Sequence, residues 1–125
     1  MAAQEGERLT MELSTIESLF EDQMKDLYSA EAQLLKALGK MAKRAEAESL
    51  RRAFEMHAEE TREHIERLKG IGEELGLKLA GKKCVAMEGI IEEGKEVMAE
   101  DMEPAVLDAA LIAAAQKVEH YEIAA

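Results

Sequence analysis

Apolar residues recur at alternating steps of four and three through the first half of this chain, and that spacing is the strongest constraint on its fold. The row is Phe20, Met24, Leu27, Glu31, Leu34, Leu38 and Met41. On an α-helix such a row faces a partner helix. Glu31 holds the one position that is not apolar. The row predicts a helix over residues 14–45, started by a capping box of Ser14 and Glu17, that buries one carboxylate.

A second row with the same spacing lies between residues 48 and 75. It consists of Leu50, Phe54, His57, Thr61, His64, Leu68, Ile71 and Leu75. Three consecutive positions are polar, and Glu60 shares their face because it is three residues after His57 and four before His64. If the two helices form an antiparallel hairpin that turns near residues 45–46, Glu31 and Glu60 lie at one level.

The rest of the chain predicts a long connection and a third bundle helix. Residues 76–103 suit a crossover with a short helix, which Gly89 and Gly94 weaken. Pro104 fits the first turn of a helix over 104–125. Its row is Ala105, Ala109, Ile112, Gln116, Glu119 and Ile123, with Glu122 on the same face. We expect one all-α domain over residues 1–125, with a flexible segment at 1–13 and a ferritin-like bundle organisation.

Composition agrees with a helical protein and excludes several functions. Alanine, leucine, glutamate, lysine and methionine dominate, and no segment alternates with period two. The formal net charge of −11 argues against nucleic-acid and anionic-membrane partners. No apolar run is long enough to span a membrane, and the first ten residues do not resemble a signal peptide. The single Cys84 favours a reducing compartment, so we expect a cytoplasmic protein.

The spacing of polar residues in the three rows predicts that acids and imidazoles meet at the middle of the bundle. The residues concerned are Glu31, Glu60, Glu119, Glu122, His57 and His64. Buried carboxylates can be protonated and hydrogen-bonded, paired with Lys or Arg, or bound to a cation. No Lys or Arg occupies a row position, and a cation explains most of the pattern. Carboxylates with one or two imidazoles suit iron or manganese and, less selectively, zinc.

Each residue of this belt also has a purely structural interpretation. His57 is at least as well explained as a hydrogen-bonded core histidine. Glu31 would lie at the bundle edge if its helix were rotated, and Glu119 and Glu122 would face solvent if the last helix frayed. These alternatives remain open at the level of the sequence.

Four segments resemble the YciE/YciF family of ferritin-like bacterial proteins. They are "LFEDQMKDLYSAEAQLLKALGKMA", "HAEETREHIERL", "GKKCVAMEGIIEEG" and "DAALIAAAQKVEHYEIAA"; they occur in the family's order, and the resemblance covers about residues 16–125. The resemblance implies a four-helix ferritin-like bundle with a rubrerythrin-like dinuclear metal centre. It also implies an association with bacterial stress responses and with dimeric relatives.

The resemblance implies a ligand set as well. The matching positions are Glu31, Glu60, His64, Glu119 and Glu122. Two features depart from the family pattern. Glu60 and His64 are spaced i, i+4 instead of Glu-x-x-His, whereas His57 and Glu60 have the shorter spacing in reverse order, so either histidine is a candidate ligand. The resemblance also implies longer chains, in which a fourth bundle helix bears further carboxylates. This sequence predicts no such helix.

Two functions follow as expectations. The first is a dinuclear non-haem iron or manganese protein that handles O₂, peroxide or Fe(II) in a stress response, with oxidase or peroxidase activity left open. The alternative is a non-catalytic helical scaffold or partner-binding protein with a vestigial metal site. Three bundle helices leave an apolar face uncovered, so we also expect a homodimer or higher homo-oligomer.

Overall fold

Four α-helices make up the computed structural model, which describes residues 15–125. They are α1 (Ile16–Arg44), α2 (Glu48–Leu75), α3 (Val85–Met98) and α4 (Pro104–Ala124). No strand occurs between residues 15 and 125, so the all-α prediction is confirmed. Within the same residues no helix combines the length and the apolar character that a membrane span needs. The predicted flexible segment at 1–13 and the predicted cap Ser14 lie outside the described residues.

The first helix begins with a capping box that lies one residue later than predicted. Thr15 Oγ1 accepts a hydrogen bond from the Ser18 amide at 3.1 Å, and Ser18 Oγ accepts one from the Thr15 amide at 3.3 Å. The box therefore joins Thr15 to Ser18, although Ser14 and Glu17 have the same spacing. A serine hydroxyl at the third helical position accepts the returning bond as a glutamate would.

The predicted rows of α1 and α2 form the hairpin core. The buried residues of the pair include Met24, Leu34, Leu38, Met41, Phe54 and Thr61. The far end of the hairpin is different, because Phe20 is 47% exposed and Leu75 is 56% exposed. The last turn of α4 reaches only the level of Asp26, where Tyr121 bonds to it. Among residues 15–125, no third helix packs against the two helices beyond that level.

The turn between α1 and α2 is held by a residue from α4. Ala47, the N-cap of α2, makes no side-chain capping bond. Instead the two carboxylate oxygens of Asp108 accept the amides of Glu46 at 2.8 Å and Ala47 at 2.9 Å. This distant cap explains why the turn carries no glycine or proline signal of its own.

The chain leaves α2 through a tight reversal. Gly76 adopts φ 67°, the left-handed conformation that glycine accepts most readily, and the Leu77 amide bonds to the Gly72 carbonyl at 2.8 Å. The side chain of Leu79 then folds over Gly72, where an added Cβ would lie 3.1 Å from it. The missing side chain at Gly72 thus allows the loop to close over the end of α2.

The short helix α3 contributes to the core. It packs against α1 and α4, and its Met87 is completely buried. Its partly buried Ile90 and Ile91 contact the same hydrophobic cluster. The predicted short crossover helix is therefore present, and it is part of the packed interior.

The predicted buried face of α4 is wrong. The buried residues are Leu107, Leu111 and Val118, and the predicted row is exposed at Ala105, Ala109, Ile112, Gln116, Glu119 and Ile123. Apolar side chains lie on every side of this helix, so spacing alone cannot select the buried face.

Candidate metal centre

Five side chains from three helices converge beside the hairpin core. Glu31 comes from α1, His57 and His64 from α2, and Glu119 and Glu122 from α4. They form two groups, Glu31 with His64 and Glu122, and His57 with Glu119 and Glu122, and within each group the potential ligand atoms lie within 4.8 Å of one another. Glu122 belongs to both groups, so the cluster is one site with two lobes.

Helical spacing explains why these side chains meet. Glu31 takes the place of a leucine in the row of α1 and is only 6% exposed. His57, Thr61 and His64 follow one another on a single face of α2. Thr61 is fully buried, and its hydroxyl donates to the His57 carbonyl at 2.8 Å, so it introduces no unpaired polar group. Its small side chain separates the two imidazoles.

His57 is enclosed by carboxylates on both ring nitrogens. Its Nε2 lies 3.2 Å from Glu122 Oε1, and its Nδ1 lies 3.4 Å from Glu119 Oε1. Only the imidazolium form can donate from both nitrogens. The hydrogen bond with Glu122 raises the pKa of His57, and the charges of Glu122, Glu119 and Glu60 act in the same direction against the effect of burial.

Glu31 and Glu122 share a proton unequally. Burial, followed by the hydrogen bond and negative charge of Glu122, raises the pKa of Glu31 to about 8. Burial also acts to raise the pKa of Glu122, but hydrogen bonds from His57 and Glu31 and the histidine charges bring it below its ordinary value. The proton therefore resides on Glu31, which also lies 3.1 Å from His64 Nδ1 through its Oε2.

The cluster satisfies its own polar groups without Lys or Arg. Among residues 15–125, no buried side-chain nitrogen or oxygen lacks a hydrogen-bond partner. The hydrogen bonds of His57 with Glu122 and of His64 with Glu31 account for this balance. The same side chains offer three carboxylates and two imidazoles, a donor set that suits iron, manganese or zinc. A carboxylate common to both lobes has two oxygens and can reach a cation on either side.

The predicted site residues are thus placed as follows. Glu31, Glu119, Glu122, His57 and His64 come together, with one histidine in each lobe. Glu60 is exposed and belongs to neither group, although its charge acts on His57. The sequence left the two histidines as alternative ligands, and the structure places one in each group of potential ligands.

A polar network beside the site was missed by the sequence analysis. The hydroxyl of Tyr121 donates to Asp26 Oδ2 at 3.2 Å and lies 3.2 Å from the Sγ atom of buried Cys84. The hydrogen bond with Cys84, burial and the charge of Asp26 raise the pKa of Tyr121. Because Tyr121 directly precedes Glu122, this network fixes the last turn of α4 against α1.

A polar row on α1 anchors the loop before α3. Its members are Asp22, Asp26, Ser29 and Gln33. Lys82 Nζ bonds to Asp22 at 2.8 Å and lies 3.9 Å from Asp26. Ser29 Oγ accepts the Cys84 amide at 2.9 Å, and Gln33 Nε2 donates to the Cys84 carbonyl at 3.1 Å. These four residues are spaced by steps of four, three and four, the same period as the apolar row of α1. That spacing was the sequence signal that could have revealed a second, polar face on α1.

A family described as "Domain of unknown function (DUF892)" matches residues 15–125. This chain belongs to the DUF892 family. Protein YciF of Escherichia coli (strain K12) is 53% identical over 115 residues, which cover 91% of this chain and 69% of YciF. The predicted resemblance to the YciF family is therefore confirmed.

Solved structures related to this DUF892 chain show the same fold. The crystal structure of the E. coli stress protein YciF matches with a TM-score of 0.82 and 54% identity, over 88% of this chain and 70% of that one. YcfI from Rhodopseudomonas palustris, described as a candidate structural protein, matches with a TM-score of 0.83 and 44% identity over the same shares. Both relatives are longer than the segment they share with this DUF892 chain.

Proposed function

We propose that this chain is a ferritin-like dinuclear carboxylate protein that binds iron or manganese and handles O₂, peroxide or Fe(II) in a bacterial stress response. The observation that carries the proposal is the position of Glu122, which is common to two ligand groups that each contain one histidine. Bundle proteins with dinuclear iron or manganese centres use carboxylates and histidines from facing helices in this manner. E. coli YciF is called a stress protein, which supports the physiological part of the proposal.

The residues present fit such a pair of ions. Glu31 and His64 would hold one ion, His57 and Glu119 would hold the other, and Glu122 would bind both. Metal ions bound there would supply one-electron redox chemistry and open coordination positions for O₂ or peroxide. The exposed Glu119, at 53%, leaves the second lobe accessible from solvent.

Protons that occupy the cluster must leave when cations enter. Glu31 holds a proton at neutral pH because its pKa is raised to about 8. The raised pKa of His57 likewise opposes loss of the proton that a ligating ring nitrogen must give up. Ion binding is therefore expected to strengthen as the pH rises from about 6 to about 9 and to release protons into the buffer.

Metal analysis of protein purified without chelator tests the proposal. We expect iron or manganese in the purified chain and two ions per chain after anaerobic titration with Fe(II) or Mn(II). Glu122→Gln should abolish both binding events, and Glu31→Gln should weaken one of them. Glu63→Gln, an exposed change on α2, is the matched control. A wild-type chain that binds neither ion, and whose melting temperature neither ion changes, would contradict the proposal.

A second function is favoured by the internal balance of the cluster and by the description of YcfI as a candidate structural protein. In that case the chain is a non-catalytic scaffold whose acids are a vestige of a metal site. Glu31→Leu separates the two. A scaffold should become more stable when the buried acid is replaced, whereas a metal protein should lose bound metal.

A further inference from the structure

Glu122 lies in the last turn of α4, beyond the part of the helix that is fully buried. The helix ends at Ala124, and Val118 is its last buried residue. Beyond Val118 only Tyr121 and Glu122 are partly buried. The last turn of a helix lacks some of its backbone hydrogen bonds and opens more easily than its middle. The carboxylate that belongs to both ligand groups therefore lies in a segment that needs a separate anchor.

Tyr121 anchors this turn with its ring and with its hydroxyl. The ring packs against the hydrophobic core cluster. The hydroxyl donates to Asp26 Oδ2 at 3.2 Å and lies 3.2 Å from Cys84 Sγ. A phenol has one proton to donate, and this one goes to Asp26, so the Cys84 thiol is the donor in the second contact. The hydroxyl thus joins the end of α4 to α1 and to the residue that caps α3.

Both partners of this hydroxyl are themselves held in place. Asp26 lies 3.9 Å from Lys82 Nζ. The backbone of Cys84 is bonded to α1 twice, because its amide donates to Ser29 Oγ at 2.9 Å and its carbonyl accepts from Gln33 Nε2 at 3.1 Å. Cys84 is also only 1% exposed. A hydroxyl bonded to fixed groups restricts the last turn of α4 more than a bond to a mobile surface side chain would.

The anchor and the ligand project from different sides of the same turn. Successive side chains on an α-helix point about 100° apart. Tyr121 therefore reaches Asp26 and Cys84, whereas Glu122 faces His57, whose Nε2 lies 3.2 Å from its Oε1. Because the two residues are joined by one peptide bond, a displacement of Tyr121 moves Glu122 away from the other potential ligands.

We propose that Tyr121 is a positioning residue of the candidate metal centre and that its hydroxyl holds Glu122 where both lobes can use it. Tyr121 itself belongs to neither ligand group. This inference rests on the proposed function, since a positioned carboxylate affects affinity only if the lobes bind ions. Coupling of this kind is reciprocal, so bound ions should in turn hold the start of α3 more firmly.

Two variants that release opposite ends of α4 test the proposal by isothermal titration with Mn(II). Tyr121→Phe keeps the packed ring and removes the hydroxyl. Loss of an outer hydrogen-bonding group of a metal site costs about 10–100-fold in affinity, and we expect about tenfold at both lobes. Asp108→Ala removes the bonds to the Glu46 and Ala47 amides, about 21 Å along the helix from Glu122.

The comparison of these variants separates positioning from general stability. Both changes should lower the melting temperature, but only Tyr121→Phe should weaken Mn(II) binding. Equal weakening by the two changes would reduce Tyr121 to a structural residue. Unchanged Mn(II) affinity in Tyr121→Phe would overturn the positioning role and leave the proposed function intact.

A matched pair at Asp26 distinguishes the hydrogen bond from the charge. Asp26→Asn and Asp26→Ala remove the same negative charge, but only asparagine keeps an oxygen acceptor for the Tyr121 hydroxyl. Asp26→Asn should retain the wild-type affinity for Mn(II), and Asp26→Ala should lose about fivefold, the effect of one ordinary hydrogen bond. Equal losses in the two variants would assign the effect to charge and overturn the proposal.

Alkylation of Cys84 by iodoacetamide reports on the same anchor without a metal readout. The chain has a single cysteine, so the label reports on this position alone. In chelator, Tyr121→Phe should be labelled about tenfold faster than the wild type, because two hydrogen bonds that hold this region are lost. Mn(II) should slow labelling of the wild type more than that of Tyr121→Phe.

The labelling also separates failure of this inference from failure of the proposed function. A wild type that binds no Mn(II) would contradict the proposed function and the positioning role together. Faster labelling of Tyr121→Phe in chelator would then assign the hydroxyl to the fold alone. A wild type that binds Mn(II) while the ion protects Cys84 equally in both proteins would contradict the positioning role only.

Discussion

Glu31 is the residue whose environment departs furthest from what its side chain prefers in water. It occupies a leucine position in the row of α1, lies against Glu122, and keeps its proton at neutral pH when no cation is present. His57 compensates part of the negative charge from the other side of Glu122. Raised pKa values at Glu31 and His57 act in the same direction above pH 5, whereas the lowered pKa of Glu122 affects stability only at lower pH.

The metal-free chain should lose stability as the pH rises. A carboxyl whose folded pKa is raised stabilises the fold below its unfolded pKa near 4.5, and this contribution disappears as the pH rises through about 8. A histidine with a raised pKa acts in the same direction, with its contribution complete below 6.5. The shift of Glu31 sets a ceiling of ~5 kcal/mol, and partial solvent screening leaves about 2–4 kcal/mol.

Urea unfolding in the presence of chelator at pH 5, 7 and 9 measures this effect. Glu31→Gln should flatten the decline, since an amide does not titrate. Glu63→Gln, on the exposed side of α2, should retain the wild-type slope. The assignment to Glu31 would be wrong if the Glu31→Gln protein lost as much stability between pH 5 and 9 as the wild type.

At the scale of the helices, caps and anchors come from distant parts of the chain. Asp108 of α4 caps the start of α2, and Ser29 of α1 holds the Cys84 amide at the start of α3. These bonds tie the starts of α2 and α3 to another helix, in addition to the local cap that the Cys84 side chain gives to the Met87 amide. Their loss should therefore destabilise the whole fold.

Replacement of Asp108 tests the cap of α2. Asp108→Ala leaves the amides of Glu46 and Ala47 without their acceptors and should cost about 1–2 kcal/mol in the free energy of unfolding. Asp101→Ala, in the exposed link before α4, serves as the control and should change stability little. Equal effects of the two changes in thermal and urea unfolding would mean that the cap contributes nothing.

Replacement of Ser29 tests the anchor of the loop before α3. Ser29→Ala removes the acceptor of the Cys84 amide and should cost about 1–3 kcal/mol, because that amide is partly buried. Ser49→Ala provides the same gain in helix propensity at an exposed position of α2. A Ser29 variant as stable as its Ser49 counterpart in urea unfolding would contradict the role of the anchor.

These elements also show what the sequence could and could not predict. The rows of α1 and α2 predicted their buried faces because polar residues occupy the opposite sides. The row of α4 failed because apolar residues surround that helix, so the packing of Leu107 and Leu111 decided its orientation. The convergence of Glu31, Glu119 and Glu122 was predicted from spacing. The exposure of Glu60 depends on the rotation of α2 about its axis. The cap from Asp108 depends on a contact between residues far apart in the chain. Neither can be predicted from neighbouring residues in the sequence.

On the scale of the whole molecule, several large apolar side chains of α4 remain exposed. Val106 is 51% exposed, Ile112 is 47% exposed and Ile123 is 80% exposed, all on α4. Clustered apolar residues on a protein surface mark interaction sites. The predicted homodimer therefore remains a proposal with a defined surface.

Sedimentation analysis of surface variants tests this proposal. The wild type should sediment as a dimer or higher oligomer at micromolar concentration, and Ile112→Lys should shift it to the monomer, because a buried lysine at an interface is costly. Val85→Lys, at a 72% exposed position on α3, should leave the assembly intact. A wild-type chain that is monomeric at the same concentration would contradict the proposal.

The cap that Asp108 gives to the first turn also imposes an order on synthesis. The acceptor lies 62 residues after Glu46 and 61 residues after Ala47. At ordinary translation rates that separation corresponds to a delay of about 3–12 s. During this time α1 and α2 leave the ribosome with an uncapped turn, and Glu31 lacks its contact with Glu122. Until α4 arrives, the nascent hairpin therefore lacks about 1–2 kcal/mol of stabilisation from this cap.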